Sequence, residues 1–189
     1  MRYLLILMVG LGLGVEQGTS TGCYPITAAD LRDAGAPTYE QFSVPRKTVK
    51  SVAPLDLESH PIARRYGSVL RAGIRKGPNF ASHHRIVAWS CGSSCTQFAV
   101  IDLLSGKVFA PSEFDYVTGV QISTSEFQPE TMVDGWALRY RADSRLLVVL
   151  GALDENADRQ GATFYAFDRG SFQRLHTTYV RKQQCISFV

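Results

Sequence analysis

His83, His84, Cys91 and Cys95 lie on one short stretch, GPNFASHHRIVAWSCGSSC (77–95), and are the residue types that hold metals, activate thiols or form disulfides. Spacing decides among these. A structural zinc site needs paired ligands on both sides, and here one pair would be two adjacent histidines. Adjacent side chains on a strand point to opposite faces, so no metal is expected. A cysteine nucleophile, Cys91 or Cys95 with His83, His84 or His176 as base, needs a free thiol. A disulfide is the stronger expectation for an exported chain. Ser90, Ser93 and Ser94 lack the G-x-S-x-G frame of a nucleophile elbow, and no phosphate-binding glycine loop occurs. Asp154, Asn156 and Asp158 alternate as in a calcium loop, but Arg159 stands where that loop needs glycine and Tyr165 where it needs a carboxylate. That stretch reads as a solvated hairpin loop. No catalytic residue and no cofactor is assigned, and the balance leans away from an enzyme.

The compartment follows from the N-terminus. Arg2, the apolar run Tyr3–Val15 and the small residues Gly18–Gly22 have the three-part order of a secretory signal peptide, placed at 1–20 with approximate cleavage. The apolar run is shorter than the roughly 18 residues of a membrane span. The mature chain, 21–189, is expected to carry no transmembrane segment, to form one β-rich domain, and to be periplasmic or secreted. Lipoprotein anchoring through Cys23 is disfavoured, because Ser20 sits where such signals carry leucine and three other cysteines would remain. Four cysteines allow three pairings. The economical one joins Cys91 to Cys95 and Cys23 to Cys185, the long tie being worth about 4–5 kcal/mol in the chain-entropy view. A net charge of +3 in 189 residues is too mild for a nucleic-acid binder.

The elements that must position these side chains come next. Thr27 caps a short helix over 26–34. Prolines at 37, 45 and 54 break the following segment into irregular pieces with one short edge strand near 39–44. Ser59-His60-Pro61 opens the main amphipathic helix, with Ile62, Tyr66, Val69, Leu70 and Ile74 on one stripe and Gly77-Pro78 ending it. Its other face carries Arg64, Arg65, Arg71, Arg75 and Lys76, a solvated face first and an anion-docking surface second. Everything beyond reads as strands: 85–89, 96–102, 107–110, 116–123, 136–141, 145–150, 163–167 and 171–180. The fold class is mostly β (α+β): an antiparallel β-meander of blade-like hairpins with one main amphipathic helix packed on it.

The same stretch resembles a family of small exported bacterial proteins of unknown function. These have a helix leading into Pro-Asn-Phe-Ala-Gly-His-Tyr, then Trp-Gly-Cys-Gly with a second cysteine, then a Val-Asp…Gly-Lys-Val-Tyr hairpin. Pro78, Asn79, Phe80, Ala81, His83, Trp89, Cys91, Gly92, Cys95, Asp102 and Gly106 match, while Ser82 and Ser90 replace glycines and His84 and Phe109 replace tyrosines. The resemblance brings no activity with it. A weaker one is to periplasmic lysozyme inhibitors, some of which insert a Ser-Gly-x-x-Tyr loop into the enzyme; Ser105-Gly106-Lys107-Val108-Phe109 has that shape, though Ser-Gly also suits a plain hairpin turn.

The expected function is a non-enzymatic periplasmic or secreted binding module, an inhibitor of a cell-envelope enzyme such as lysozyme being its most concrete form. The partner is an envelope protein or polymer, and the candidate surface comprises Asn79, His83, His84, Trp89, Ser105, Gly106 and Phe109. The alternatives are a cell-wall or ester hydrolase using Cys or Ser with His, and an envelope structural factor binding anionic polymer through the arginine-rich face.

Overall fold

Cys91 and Cys95 are bonded, with Cα atoms 5.1 Å apart, and the hairpin they close organises the rest. The computed structural model describes residues 34–118 and 137–179, together with Arg32 and the backbone of Ser20–Cys23, Met132–Asp134 and Cys185–Phe188. The expected signal peptide and all but Arg32 and Ala34 of the 26–34 helix lie outside these residues.

Strand β1 (His84–Gly92) and β2 (Cys95–Asp102) run antiparallel in a register that sets Ile86 opposite Val100 and His84 opposite Asp102. The short β3 (Val108–Phe109) returns along the end of β2, and β4 (Val117–Thr118) joins the start of β2 to the strand Leu146–Leu153. β5 (Leu138–Tyr140) flanks β6 (Leu146–Leu153), which continues into β7 (Gln160–Asp168) and β8 (Ser171–Tyr179) as a meander. These eight strands form one antiparallel sheet in the order β1-β2-β4-β6-β7-β8. Met132–Asp134 pairs alongside β5, and Ser20–Cys23 pairs with Cys185–Phe188, where the register sets Cys23 opposite Cys185.

The sheet is rolled. Strands β2 and β8 stand four places apart, which in a flat sheet would be about 19 Å. Yet the Phe98 ring on β2 lies 6.2 Å from Phe172 on β8, and Phe80, just before β1, lies 5.6 Å from Phe167 on β7. Ile86, Phe98, Val100, Leu147, Val149, Tyr165 and Phe167 therefore share one interior. Alternate residues of the same strands face outward, and each outer face is covered separately. Leu146, Val148, Leu150 and Phe164 lie under Tyr39 and Phe42, while Val87, Ala99 and Ile101 lie under the helices. Burial on both faces explains why β6 is apolar throughout, LLVVLGAL, with all eight residues buried.

The expected mostly-β fold is what forms, but the single long helix is two: α1 (Pro61–Arg65) and α2 (Gly67–Ile74). Pro61 occupies the first turn and His60 caps it, its Nδ1 accepting the Ile62 N–H at 3.2 Å. Tyr66 departs from helical geometry (φ −116°, ψ 22°), and its ring stacks on Trp89 at 4.5 Å. α2 then lies close against β1: a Cβ on Gly73 would stand 2.4 Å from Val87. The segment expected as an edge strand near 39–44 is a 3-10 turn at Glu40–Phe42 with a single bridge from Ser43 to Ser144.

Candidate functional site

The motif Pro78–His84 makes the turn into β1, and its backbone explains the geometry that follows. Asn79 is buried, its Oδ1 accepting the Ile86 N–H at 2.7 Å and its Nδ2 donating to the Ile86 carbonyl and the Tyr140 hydroxyl, each at 3.1 Å. β1 is an edge strand, and this side-chain amide takes the place of a neighbouring peptide on its open side. Asn79 is thus an internal clamp, whereas its sequence context placed it on the candidate surface.

Beyond Phe80 the chain adopts φ +42° at Ala81 and +77° at Ser82, two successive left-handed residues neither of which is glycine. Such backbone costs roughly 1–2 kcal/mol per non-glycine residue. It is held in place from outside: the Ala81 N–H donates to the Ser144 carbonyl at 3.2 Å and the Ser82 N–H to the Ala142 carbonyl at 2.8 Å. The turn is thereby pinned to the β5–β6 connection. His83 sits in the turn and not on the strand, so the expectation that adjacent histidines diverge does not apply. The two rings lie side by side, centroids 4.2 Å apart and planes tilted by 35°.

Asp102 completes the group. It is the cross-strand partner of His84, and the Leu103 N–H donates to the His83 carbonyl at 3.2 Å. Asp102 Oδ1 lies 3.4 Å from His83 Nε2. The carboxylate is oriented by the Leu104 N–H on Oδ1 (2.8 Å) and the Ser105 hydroxyl on Oδ2 (2.7 Å). Burial acts to raise its pKa, but those two hydrogen bonds and the histidines beside it hold it below the ordinary range. Burial pushes the His84 pKa down, partly offset by the Ala81 carbonyl 2.9 Å from its Nδ1. With Nδ1–H donating to that carbonyl, a neutral His84 presents an unprotonated Nε2. One ligand atom from each of His83, His84 and Asp102 falls within 4.8 Å of the others.

These side chains line a cleft of about 530 Å³ between Val44–Lys47, the histidine turn and the β7–β8 turn. Its apolar floor is Phe109 and Phe167, 5.9 Å apart, with the edge of His84 against Phe167 at 5.0 Å. Gly170 (φ +86°) packs on Phe109 so tightly that a Cβ would stand 2.4 Å from the ring. At the rim are Lys47, and Arg145 and Arg169 paired with Asp168 at 3.1 and 3.3 Å. Two buried polar atoms at the cleft, Ser82 Oγ and His83 Nδ1, have no hydrogen-bond partner among the described residues.

Of the residues singled out from the sequence, His83, His84 and Phe109 meet in this cleft, and Ser105 buttresses it through Asp102. Trp89 does not; it faces the helices, its Nε1–H donating to Gln97 at 3.1 Å. Gly106 (φ +79°) is buried beneath the 53–56 segment, where a Cβ would stand 1.9 Å from the Pro54 carbonyl oxygen, so Ser105–Gly106 is a strapped turn. Cys91 lies seven residues along β1 from His84, about 23 Å in an extended strand. Together with the disulfide, that separates the cysteines and Ser90 from the histidines proposed as their base. His176 sits apart on β8, against Phe164 and Thr178. Arg64, Arg65, Arg71, Arg75 and Lys76 are exposed; Arg64 pairs with Glu58, and Arg65 lies over the Tyr66 ring beside a smaller cavity of about 220 Å³. Asp154 accepts the Asp115 and Tyr116 N–H groups on Oδ1, which ties two loops together.

Asp102, Ser82, Lys47, Arg145, Phe167 and Arg169 went unassigned from the sequence as site residues. Only Asp102 left a signal there, as the residue ending the strand that a tight hairpin folds back onto His84. Comparison of the chain with models of known families, with curated proteins and with solved structures returns no match.

Proposed function

We propose that this chain is an exported binding module whose working site is the His83–His84–Asp102 cleft. The observation that carries the reading is the convergence in one concave site of an aromatic floor, an oriented carboxylate, two imidazoles and two buried polar atoms lacking partners. Binding sites for small groups combine an apolar lining with a few placed polar groups in this way, and buried polar atoms without partners are exceptional enough in folded proteins to mark a place out. The size suits a small molecule, or one ring or side chain of an envelope polymer, lying over Phe109 and Phe167 with its polar end against the histidines. Export is supported by the N-terminal pattern and by the Cys91–Cys95 bond, which persists in oxidising compartments. An inhibitor acting through an inserted Ser105–Gly106 loop draws less support, since that turn is strapped down by the 53–56 segment.

The test is residue-resolved NMR of the exported chain titrated with cell-wall saccharides, cell-wall peptides and anionic polymer. Saturable shifts confined to Ala81–His84, Asp102 and Asp168–Gly170 are expected with at least one small fragment. Shifts confined to the Arg64–Lys76 face, collapsing with added salt, would overturn the cleft in favour of a polymer-binding structural factor. Silence at the cleft towards every fragment would overturn it as well.

A further inference from the structure

We infer that His83, His84 and Asp102 form a site for one divalent transition-metal ion in the wall of this cleft. Two observations point the same way. The first is distance. At 3.4 Å, His83 Nε2 and Asp102 Oδ1 are long for a hydrogen bond, whose usual N···O separation is about 2.9–3.0 Å. They match the roughly 3.3 Å edge between ligands of a tetrahedral ion bound at about 2.0–2.1 Å. The other ligand atoms, within 4.8 Å, close on such an ion by side-chain movements of about 1 Å.

The second is orientation. Nitrogen ligands in metal sites characteristically donate their other ring N–H to a carbonyl, and ligating carboxylates are themselves hydrogen-bonded. His84 holds the Ala81 carbonyl through Nδ1, leaving Nε2 for an ion, and Asp102 is held by Leu104 and Ser105. Two imidazoles and one carboxylate favour zinc, copper or nickel over calcium or magnesium, which take oxygen ligands. Three protein ligands leave a coordination position facing the cleft, where a ligand's donor atom would complete the sphere.

This inference rests on the cleft being the working site, but the two are measured separately, because the probe here is the metal alone. The exported chain, purified without a histidine tag and stripped with a chelator, is titrated with zinc and, for a spectroscopic signature, with cobalt(II). One zinc per chain and the intense visible bands of four-coordinate cobalt are expected. Asp102→Asn, nearly isosteric, and His84→Gln should each weaken zinc binding by more than the roughly 10–100-fold that loss of an outer-shell partner costs, while His176→Gln leaves it unchanged. Equal zinc affinity in the wild type and Asp102→Asn, with both chains giving the same melting temperature, would overturn the site. So would the absence of any zinc binding at a hundred micromolar or of four-coordinate cobalt bands. A failed metal titration leaves the fragment shifts standing, and a failed fragment search leaves the zinc stoichiometry standing.

Discussion

At one end of the β1–β2 hairpin a disulfide joins Cys91 to Cys95 through exposed residues 91–94; at the other, two left-handed residues hold His83 and His84 over Asp102 in a part-buried cleft. The first end is closed covalently within residues 91–95, with β4 paired beside it at Cys95 and Thr96. Its bond restrains only a five-residue loop and leaves β1 and β2 to pair. The second end is closed by contacts from elsewhere: the Asn79 amide on Ile86, the Ala142 and Ser144 carbonyls on the turn, and Phe167 against His84. It carries two successive left-handed residues where the first end has one, Ser94 (φ +53°), and, among the described residues, buried polar atoms without partners that the first end does not show. Strain persists where surrounding structure over-determines it, and strained residues cluster at ligand-binding sites. The contrast separates a stabilising closure from a site that the rest of the fold is arranged to maintain.

The comparison breaks most readily at Asn79. Asn79→Ala leaves the Ile86 N–H and carbonyl and the Tyr140 hydroxyl without this partner, and should cost about 2–4 kcal/mol. Urea unfolding reads that loss, and in NMR the Ala81–His84 signals should move while residues 91–95 stay in place. An effect below roughly 1 kcal/mol would mean that the amide is not the clamp.

Removing the disulfide tests the other end. Cys91→Ser with Cys95→Ser should cost about 2 kcal/mol, the chain-entropy value for so short a loop. Fragment and zinc binding at the cleft should not change. Loss of cleft binding in this variant, with the fold intact, would show that the two ends are coupled and that the contrast drawn between them is wrong.

The smallest effect is the most local. Ser82→Gly removes both the left-handed cost and the buried, unpartnered hydroxyl. Against this, glycine gives the unfolded chain more freedom, so a net gain of about 1 kcal/mol is expected. Glycine adopts the φ of +77° found at this position without that cost. A melting temperature that falls instead would indicate that the Ser82 hydroxyl has a partner in solution.

Much of the architecture was legible from local pattern. Period-two alternation and Gly or Asp turns located β1, β2 and β6 to β8 within a few residues, because each hairpin is built from chain neighbours. His60 and Pro61 announced the start of α1, and the four-residue spacing of Cys91 and Cys95 made their bond the economical one. The break at Tyr66 was not legible: the apolar stripe continues through it, and the departure coincides with stacking on Trp89, a partner more than twenty positions away.

The site was legible only in its ingredients. His83 and His84 could be named, but on a strand they would diverge, and nothing in the residue types Ala81 and Ser82 asks for left-handed backbone. That conformation is imposed by hydrogen bonds to Ala142 and Ser144, some sixty residues on. The rolling of the sheet then carries Phe167, Arg145 and Arg169 to the same cleft, and it depends on packing the inner faces of strands far apart in the chain. Sequence by itself determined most of the strands, the hairpin and the chemistry available to it. Tertiary structure alone decided where that chemistry converges, because register, backbone strain and sheet curvature are set by contacts between distant residues.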